Sequence, residues 1–421
     1  MSDSVNNIIY AADETLRNTF RLGLDFREPV QIAAMEQAAA QTARRFPYFA
    51  VRLIRQGETY RMARNDAPFV FADGGRPIRL NSEESNGHLV AFAVEGNRLF
   101  LDTTHFITDG NGVFPFVRTL LYSYLSLVHP EADFDTSWIA LPDSAIPAAE
   151  LEDDPYPAEP IPAAPMKLSP RPAAVFRLPD QPQGYANMGG WTSYLFRVPQ
   201  KELMRFVSSV DGSPATFVAS LLYRAVDELH PENRLPVVCG MQHQFRHALG
   251  KPQSHLCHVN IVPIVYPPSL RGAEIDRLNT IGRGSLILRA DDENDLITVN
   301  AHIRHEKAIR SMTLPQKREF MRRVVTEGIG VNTFEVSYTG RVAWGGLDRY
   351  VSFVAPYLDL TLSGGVSAEI FSRDTDFDIT IMQRNGEPKL YDHLCEQLTA
   401  AGIHYDPVCT EHFAISGFEL P

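Results

Sequence analysis

His105-Phe106-Ile107-Thr108-Asp109-Gly110 sets an imidazole and a carboxylate at H-x-x-x-D-G spacing, where an apolar stretch gives way to a turn. Acyl transfer to an alcohol needs a base that takes the hydroxyl proton as the new bond to carbon forms. Histidine suits that task because its unperturbed pKa, about 6.5, lies close to working pH. An aliphatic alcohol is far too weakly acidic to ionise at neutral pH, so the proton must leave during attack. A positioned base contributes typically ~10²–10⁴-fold to such a step. The same spacing also serves a hydrogen-bonded pair that merely closes a strand-to-helix turn, and the motif alone leaves both readings open.

A second constellation contains Cys239, His243, His247, His255, Cys257 and His258. These residue types suit zinc, and His243 and His247 stand at i, i+4, which would point to a metal-dependent hydrolase. The region reads as strand, polar turn, strand, however, where such a pair need not converge, and no standard zinc spacing is present. No metal site is therefore expected. His302 and His305 lie near a basic helical segment and read as a solvated face. No G-x-S-x-G nucleophile elbow occurs.

The elements around the motif can be read from periodicity. Leu89 to Val94, the turn Glu95-Gly96-Asn97, and Arg98 to Thr104 form a hairpin that ends at His105. After Gly110 and Gly112, Val113, Phe116, Val117, Leu120, Tyr124 and Leu127 recur at helical spacing. Upstream, Pro29 opens an alanine-rich helix to Phe46, Pro47 stops it, and Phe49, Val51 and Leu53 alternate as a strand. Between Leu141 and Gly184 lie eleven prolines and the acidic run Glu150 to Asp154. This stretch is expected to be an irregular crossover, pinned to a surface by Ile161, Met166, Val175 and Phe176.

The second half restarts with a strand at Trp191–Val198 and a helix capped by Ser213-Pro214 that runs to about Leu229. Strands at Leu235–Met241 and Val259–Tyr266 flank a polar connection. A helix over Gln316–Thr326, strands near Val331–Val342, Leu358–Leu362 and Phe377–Met382, and a helix over Glu387–Ala401 follow. The mixture predicts an α+β protein of two α/β lobes. Residues 1–165 would form the first lobe, 166–190 the proline-rich crossover and 191–421 the second lobe.

Composition bounds the partners. The 421 residues, 44% hydrophobic, suffice for two cores, and the net charge of −12 opposes nucleic acid and anionic membrane surfaces. Four cysteines form no C-x-x-C pair and read as reduced, buried thiols. The first residues lack signal-peptide character, and no run approaches the ~20 apolar residues of a membrane span, so a cytoplasmic protein is expected.

With these pieces in place, the chain resembles the CoA-dependent acyltransferase superfamily, which includes chloramphenicol acetyltransferase, plant alcohol acyltransferases and peptide-synthetase condensation domains. The resemblance rests on His105-x-x-x-Asp109-Gly110 at a strand end, the helix after it, and Arg45-Phe46-Pro47 between a helix and a strand. It is most similar to stand-alone bacterial alcohol acetyltransferase-like and condensation-like proteins. It departs from the family pattern at Thr104, where many members carry another histidine, and it lacks the D-F-G-W-G motif of the plant enzymes; Val259-Asn260 matches a later motif only in part.

The resemblance implies a chloramphenicol-acetyltransferase-like two-lobe sandwich with a tunnel at the lobe interface. It implies His105 as general base, Asp109 paired with an arginine at Arg246, Gly110 permitting a tight turn, and Ser337 or Thr339 as oxyanion donor. Acyl-CoA would be a co-substrate, with no permanently bound cofactor, and a small alcohol or amine the acceptor. The CoA-binding residues are not assigned; the basic run Lys317, Arg318, Arg322 and Arg323 is not committed to that role. Two alternatives accompany this reading: a condensation-like protein working with a separate carrier protein, which a charge of −12 disfavours, and a non-catalytic binding relative.

Overall fold

The computed structural model describes residues 6–151, 154–163, 172–179, 191–328, 331–361, 363–384 and 387–421. The crossover expected over 166–190, including Met166, lies outside these residues except for 172–179. Before it, Ile161 exchanges backbone hydrogen bonds with the Asn300 side chain at 2.7 and 2.8 Å. The Phe176 carbonyl accepts from the Thr333 hydroxyl at 2.7 Å.

The first half contains β1 (Thr19–Phe26), α1 (Ile32–Arg45), β2 (Val51–Gln56), β3 (Thr59–Arg64), β4 (Phe71–Asp73), β5 (Ala91–Glu95), β6 (Arg98–Thr104) and α2 (Gly110–Val128). The second half contains β7 (Trp191–Pro199), α3 (Gln200–Ser209), α4 (Pro214–Leu229), β8 (Val237–Gln244), β9 (Val259–Tyr266), α5 (Ile275–Arg289), α6 (Asp292–Ile309), α7 (Leu314–Gly328) and β10 (Phe334–Tyr338). It ends with β11 (Val351–Leu358), β12 (Val366–Ser372), β13 (Asp376–Gln383), α8 (Lys389–Ala400) and β14 (Asp406–Phe413).

Two sheets organise these elements: a five-stranded sheet in the order β11-β1-β6-β5-β4 and a seven-stranded sheet in the order β14-β7-β13-β12-β10-β8-β9, beside the separate β2–β3 hairpin. Strand alternation decides which face each sheet buries. In β1, Phe20, Leu22, Leu24 and Phe26 join the core shared with α1 and α2, while Arg21 and Asp25 turn the other way. In the large sheet, Phe334, Val336, Ala368, Ile370, Ile379 and Ile381 pack under α4 and α8. Its opposite face meets the first lobe through Phe100, Leu195, Phe353, Tyr357 and Met382.

The lobes do not divide where the chain does. Residues 191–421 were expected to stay together, but β11 leaves for the first sheet, pairing with β1 from Phe20↔Leu358 to Phe26↔Val351. α7 also packs against the Asn7–Tyr10 turn of the first lobe. The strand expected at Leu358–Leu362 begins earlier and ends at Leu358 (Leu362 is outside the described residues). Asp359 then turns the chain by accepting from the backbone N–H groups of Arg17 and Asn18.

Pro356 disguised this strand, and its tolerance has a physical reason. β11 is an edge strand, so its outward N–H positions have no ladder partner. Val354 N–H, one such position, donates to the Asp378 carboxylate of β13 at 2.9 Å, and Leu358 N–H donates to Met382 Sδ at 3.3 Å. Pro356 occupies the position between them, where no donor is needed. Asp378, fully buried, also binds Arg197 at 3.1 Å and Arg373 at 3.5 Å. Removing one partner of a buried pair strands the other. Asp378→Ala is therefore expected to lose about 3–5 kcal/mol in a denaturant unfolding measurement, and an unchanged unfolding midpoint would contradict this docking role.

Candidate functional site

β6 delivers His105 to the seam between the lobes. Its backbone N–H donates to Asn18 O at 3.0 Å, and its ring lies against Phe20 with centroids 4.6 Å apart. Nδ1 is 3.2 Å from the Thr108 carbonyl oxygen. A carbonyl can only accept, so Nδ1 carries the proton and the lone pair is on Nε2. Burial favours the neutral ring and lowers its pKa; the nearby Asp109 carboxylate and the Thr108 carbonyl oppose this less strongly. The half-buried ring thus bears the features of a general base: uncharged, with a defined tautomer and a nitrogen without a hydrogen-bond partner among the described residues.

Asp109 faces away from that ring. As the N-cap of α2 it accepts from Gly112 N–H at 2.8 Å, satisfying one of the helix's unpaired donors. Arg246, from the β8–β9 connection, donates to Oδ1 at 2.7 Å, and His258 N–H donates to Oδ2 at 2.8 Å. Burial would raise its pKa, but the Arg246 guanidinium and these N–H donors hold it below the usual carboxylate range. Arg246 in turn donates to the carbonyls of Ser254 at 2.9 Å and Leu256 at 2.7 Å, closing the connection around itself. One carboxylate therefore joins the motif turn, the start of α2 and the second lobe.

The glycine requirement falls at a different residue from the one expected. Gly110 is the first residue of α2 and does not have positive φ, so no special turn depends on it. Gly112 is indispensable instead: a Cβ there would lie 2.1 Å from His255 O and 2.5 Å from Thr108 Oγ1. The second lobe's backbone approaches α2 at that point. Gly110 opens onto a cleft, with Thr339 Cγ2 3.8 Å from where its Cβ would be.

That cleft, about 770 Å³, is lined by Asp109, Gly110 and Asn111 on one side and by Gln242, His255 and the Ser337–Gly340 stretch on the other. His105 is not among its lining residues. The two candidate oxyanion donors differ. Ser337 is hydrogen-bonded to the Glu369 carboxyl, whereas the Thr339 hydroxyl is buried without a partner among the described residues. Thr339 thus has a donor to offer and Ser337 has committed its own.

The His/Cys cluster disperses. His243 pairs with Asp295 at 2.9 Å, His247 with Asp292 at 2.9 Å, and His258 with Ser254 Oγ at 3.0 Å. His255 stacks on Tyr48 with centroids 3.8 Å apart, and Cys239 is in the second-lobe core. Among the described residues no group of such side chains is arranged to hold a metal ion.

Two readings of the sequence need correction, and one uncommitted basic run finds its use. His302 is not a solvated residue: it stacks on Tyr156 at 5.0 Å, and burial lowers its pKa to about 4. The basic run of α7 is used structurally, Lys317 over the Tyr10 ring and Arg322 paired with Asp13. Cys257 and Cys409 are half-buried rather than enclosed, and Cys257 Sγ lies 4.0 Å from His105 Nδ1. Gly112 was missed as a site residue, and Cys257 and His258 were considered only as members of the His/Cys cluster.

Asp109→Asn should destabilise the fold by about 3–5 kcal/mol, because Arg246 would keep a buried charge without a counterion. The folded pKa of Asp109 is depressed. Its contribution is therefore present above the unfolded value near 3.9 and lost as pH falls below it. The difference between wild type and variant in an unfolding series should accordingly shrink in acid; a constant gap would contradict the assignment. Gly112→Ala should separate α2 from the second lobe and lower the melting temperature further than Gly110→Ala does.

No protein-family model and no curated protein matches the chain. Solved structures do match along nearly its whole length. TRI101 of F. sporotrichioides, complexed with coenzyme A and T-2, is 13% identical with a TM-score of 0.60, covering 96% of this chain and 100% of that one. Polyketide synthase associated protein 5 from Mycobacterium tuberculosis is 13% identical with a TM-score of 0.56, covering 94% and 96%. The first condensation domain of the CDA synthetase is 13% identical with a TM-score of 0.56, covering 94% of each. The chain therefore has a CoA-acyltransferase/condensation-domain-like fold, with the His105–Gly110 turn at the seam of its two lobes.

Proposed function

We propose that this chain moves an acyl group, acetyl being the first choice, from coenzyme A to a hydroxyl of a small acceptor, with both bound at once. His105 Nε2 accepts the hydroxyl proton as the acceptor oxygen attacks the thioester carbonyl. The carbonyl oxygen becomes an oxyanion, towards which the Thr339 hydroxyl is the available donor. Collapse breaks the carbon–sulfur bond, the departing thiolate takes the proton from His105, and the ring returns to neutral. The thioester is already activated, so no protein nucleophile is required. Asp109 and Arg246 position the turn and do not touch the reacting atoms.

The observation that supports this reading is His105 Nδ1 engaged by Thr108 O, with no hydrogen bond to Nε2 among the described residues, in a buried site that favours the neutral ring. Neighbours of the same fold are compatible with two small ligands together, since TRI101 structures hold coenzyme A with T-2 or deoxynivalenol. Condensation domains share the fold too, so an acceptor amine or a carrier-borne group is the second reading. The net charge of −12 opposes acidic carriers and favours diffusible substrates. Four free cysteines fit a reducing cytoplasm.

Thiol release from acetyl-CoA across a panel of alcohols and amines tests the reaction. Some acceptor should stimulate release, and His105→Ala should lower kcat by ~10²–10⁴-fold while remaining folded; full turnover in that variant would remove the base assignment. Because burial lowers the His105 pKa, kcat/KM should rise with pH and level off, with a midpoint below the ordinary value near 6.5. A midpoint above it would mean that a different group titrates.

A further inference from the structure

The face of the large sheet that looks toward the first lobe carries a polar row. Ser337 of β10 is in register with Glu369 of β12, which is in register with Thr380 of β13. One step along, Glu335 is in register with Ser367. Ser337 lines the cleft, whereas Glu369 is 5% exposed and Thr380 0%. At the neighbouring positions the sheet's other face carries Phe334, Val336, Ala368, Ile370, Ile379 and Ile381.

Among the described residues the hydrogen-bond partners of Glu369 are hydroxyls: Ser337, and Ser367 Oγ at 3.3 Å. The arginines on this face, Arg197 and Arg373, are committed to Asp378. Thr380 Oγ1, directly opposite Glu369, is buried with no hydrogen-bond partner among the described residues. A buried hydroxyl left unpaired beside a buried carboxyl is a cost that a fold has no reason to keep unless something completes it. Burial, reinforced by the Glu335 carboxylate on the neighbouring strand, pushes the Glu369 carboxyl up to about 8. A cation arriving there would restore the ionised form.

We propose that Glu369, flanked by the Ser337 and Thr380 hydroxyls, is a subsite for the ammonium group of an amino-alcohol acceptor. An ammonium has three N–H donors. The Glu369 carboxylate, Ser337 Oγ and Thr380 Oγ1 are three acceptors on one face of three neighbouring strands. The hydroxyl end of the same molecule would extend toward His105. The proposal rests on the acyl-transfer reading of the cleft, and it narrows the acceptor class from any small alcohol to one bearing a basic nitrogen.

Calorimetric binding of aminohexanol and of hexanediol to the intact protein, with coenzyme A present, tests it without requiring turnover. The amino alcohol should bind at least about tenfold more tightly than the diol, and Glu369→Gln should reduce that preference to about threefold or less. Thr380→Val, which keeps the side-chain volume, should give an intermediate loss, and it serves if the glutamine variant fails to fold. Equal affinity for both probes in the wild type, or a preference that survives in both variants, would overturn the subsite. Acyl transfer to plain alcohols without an ammonium preference sinks the subsite alone. An ammonium preference with no acyl transfer to any acceptor sinks the acyl-transfer reading and leaves a cation-binding site.

Discussion

The buried ion pair between Asp109 and Arg246 is the constraint on which the rest of the site depends. A buried pair is weak evidence for stability, since desolvating two charges offsets most of their attraction. Here its value is geometric. Asp109 fixes the first turn of α2 through Gly112 N–H and grips the second lobe through Arg246 and His258 N–H. Arg246 shapes its own loop by holding the Ser254 and Leu256 carbonyls. With both ends of the turn held, the Thr108 carbonyl has one position, and that position decides which nitrogen of His105 keeps its proton.

The lobe seam is divided between contacts that close it and contacts that leave it open. Phe100, Phe353, Tyr357 and Met382 close one part with apolar side chains. The edge of β11 closes another part by donating its outward N–H groups to Asp378 and Met382. Beside these, Gly110 and the Ser337–Gly340 stretch line open volume. An exchanged strand suits such an arrangement. β11 belongs covalently to the second half yet hydrogen-bonds in the first sheet, so the lobes cannot part without breaking a ladder.

Local patterns were legible in the sequence where one residue type determines the outcome. The Leu89–Thr104 hairpin, the Ser213-Pro214 cap and the helix after Gly112 all stand close to their expected places, because turn chemistry and periodicity act over a few residues. The pairing of Asp109 with Arg246 was legible only by resemblance, since 137 positions separate them and no local rule links the two. β1 escaped notice even though Phe20, Leu22, Leu24 and Phe26 alternate as a half-buried strand should. β11 was displaced by the ordinary meaning of proline, which changes on an edge. The need for Gly112 and the polar row through Glu369 were out of reach, because both arise from elements meeting across the fold. His302 read as a solvated residue for the same reason.

The account turns on a neutral imidazole with its proton on Nδ1 and its lone pair on Nε2. Nitrogen chemical shifts of the histidine rings in ¹⁵N-labelled protein at neutral pH, with His105 identified by its absence in His105→Ala, read that state directly. The account predicts a protonated Nδ1 and a bare Nε2 for His105. A proton on Nε2, or a charged ring, would contradict it.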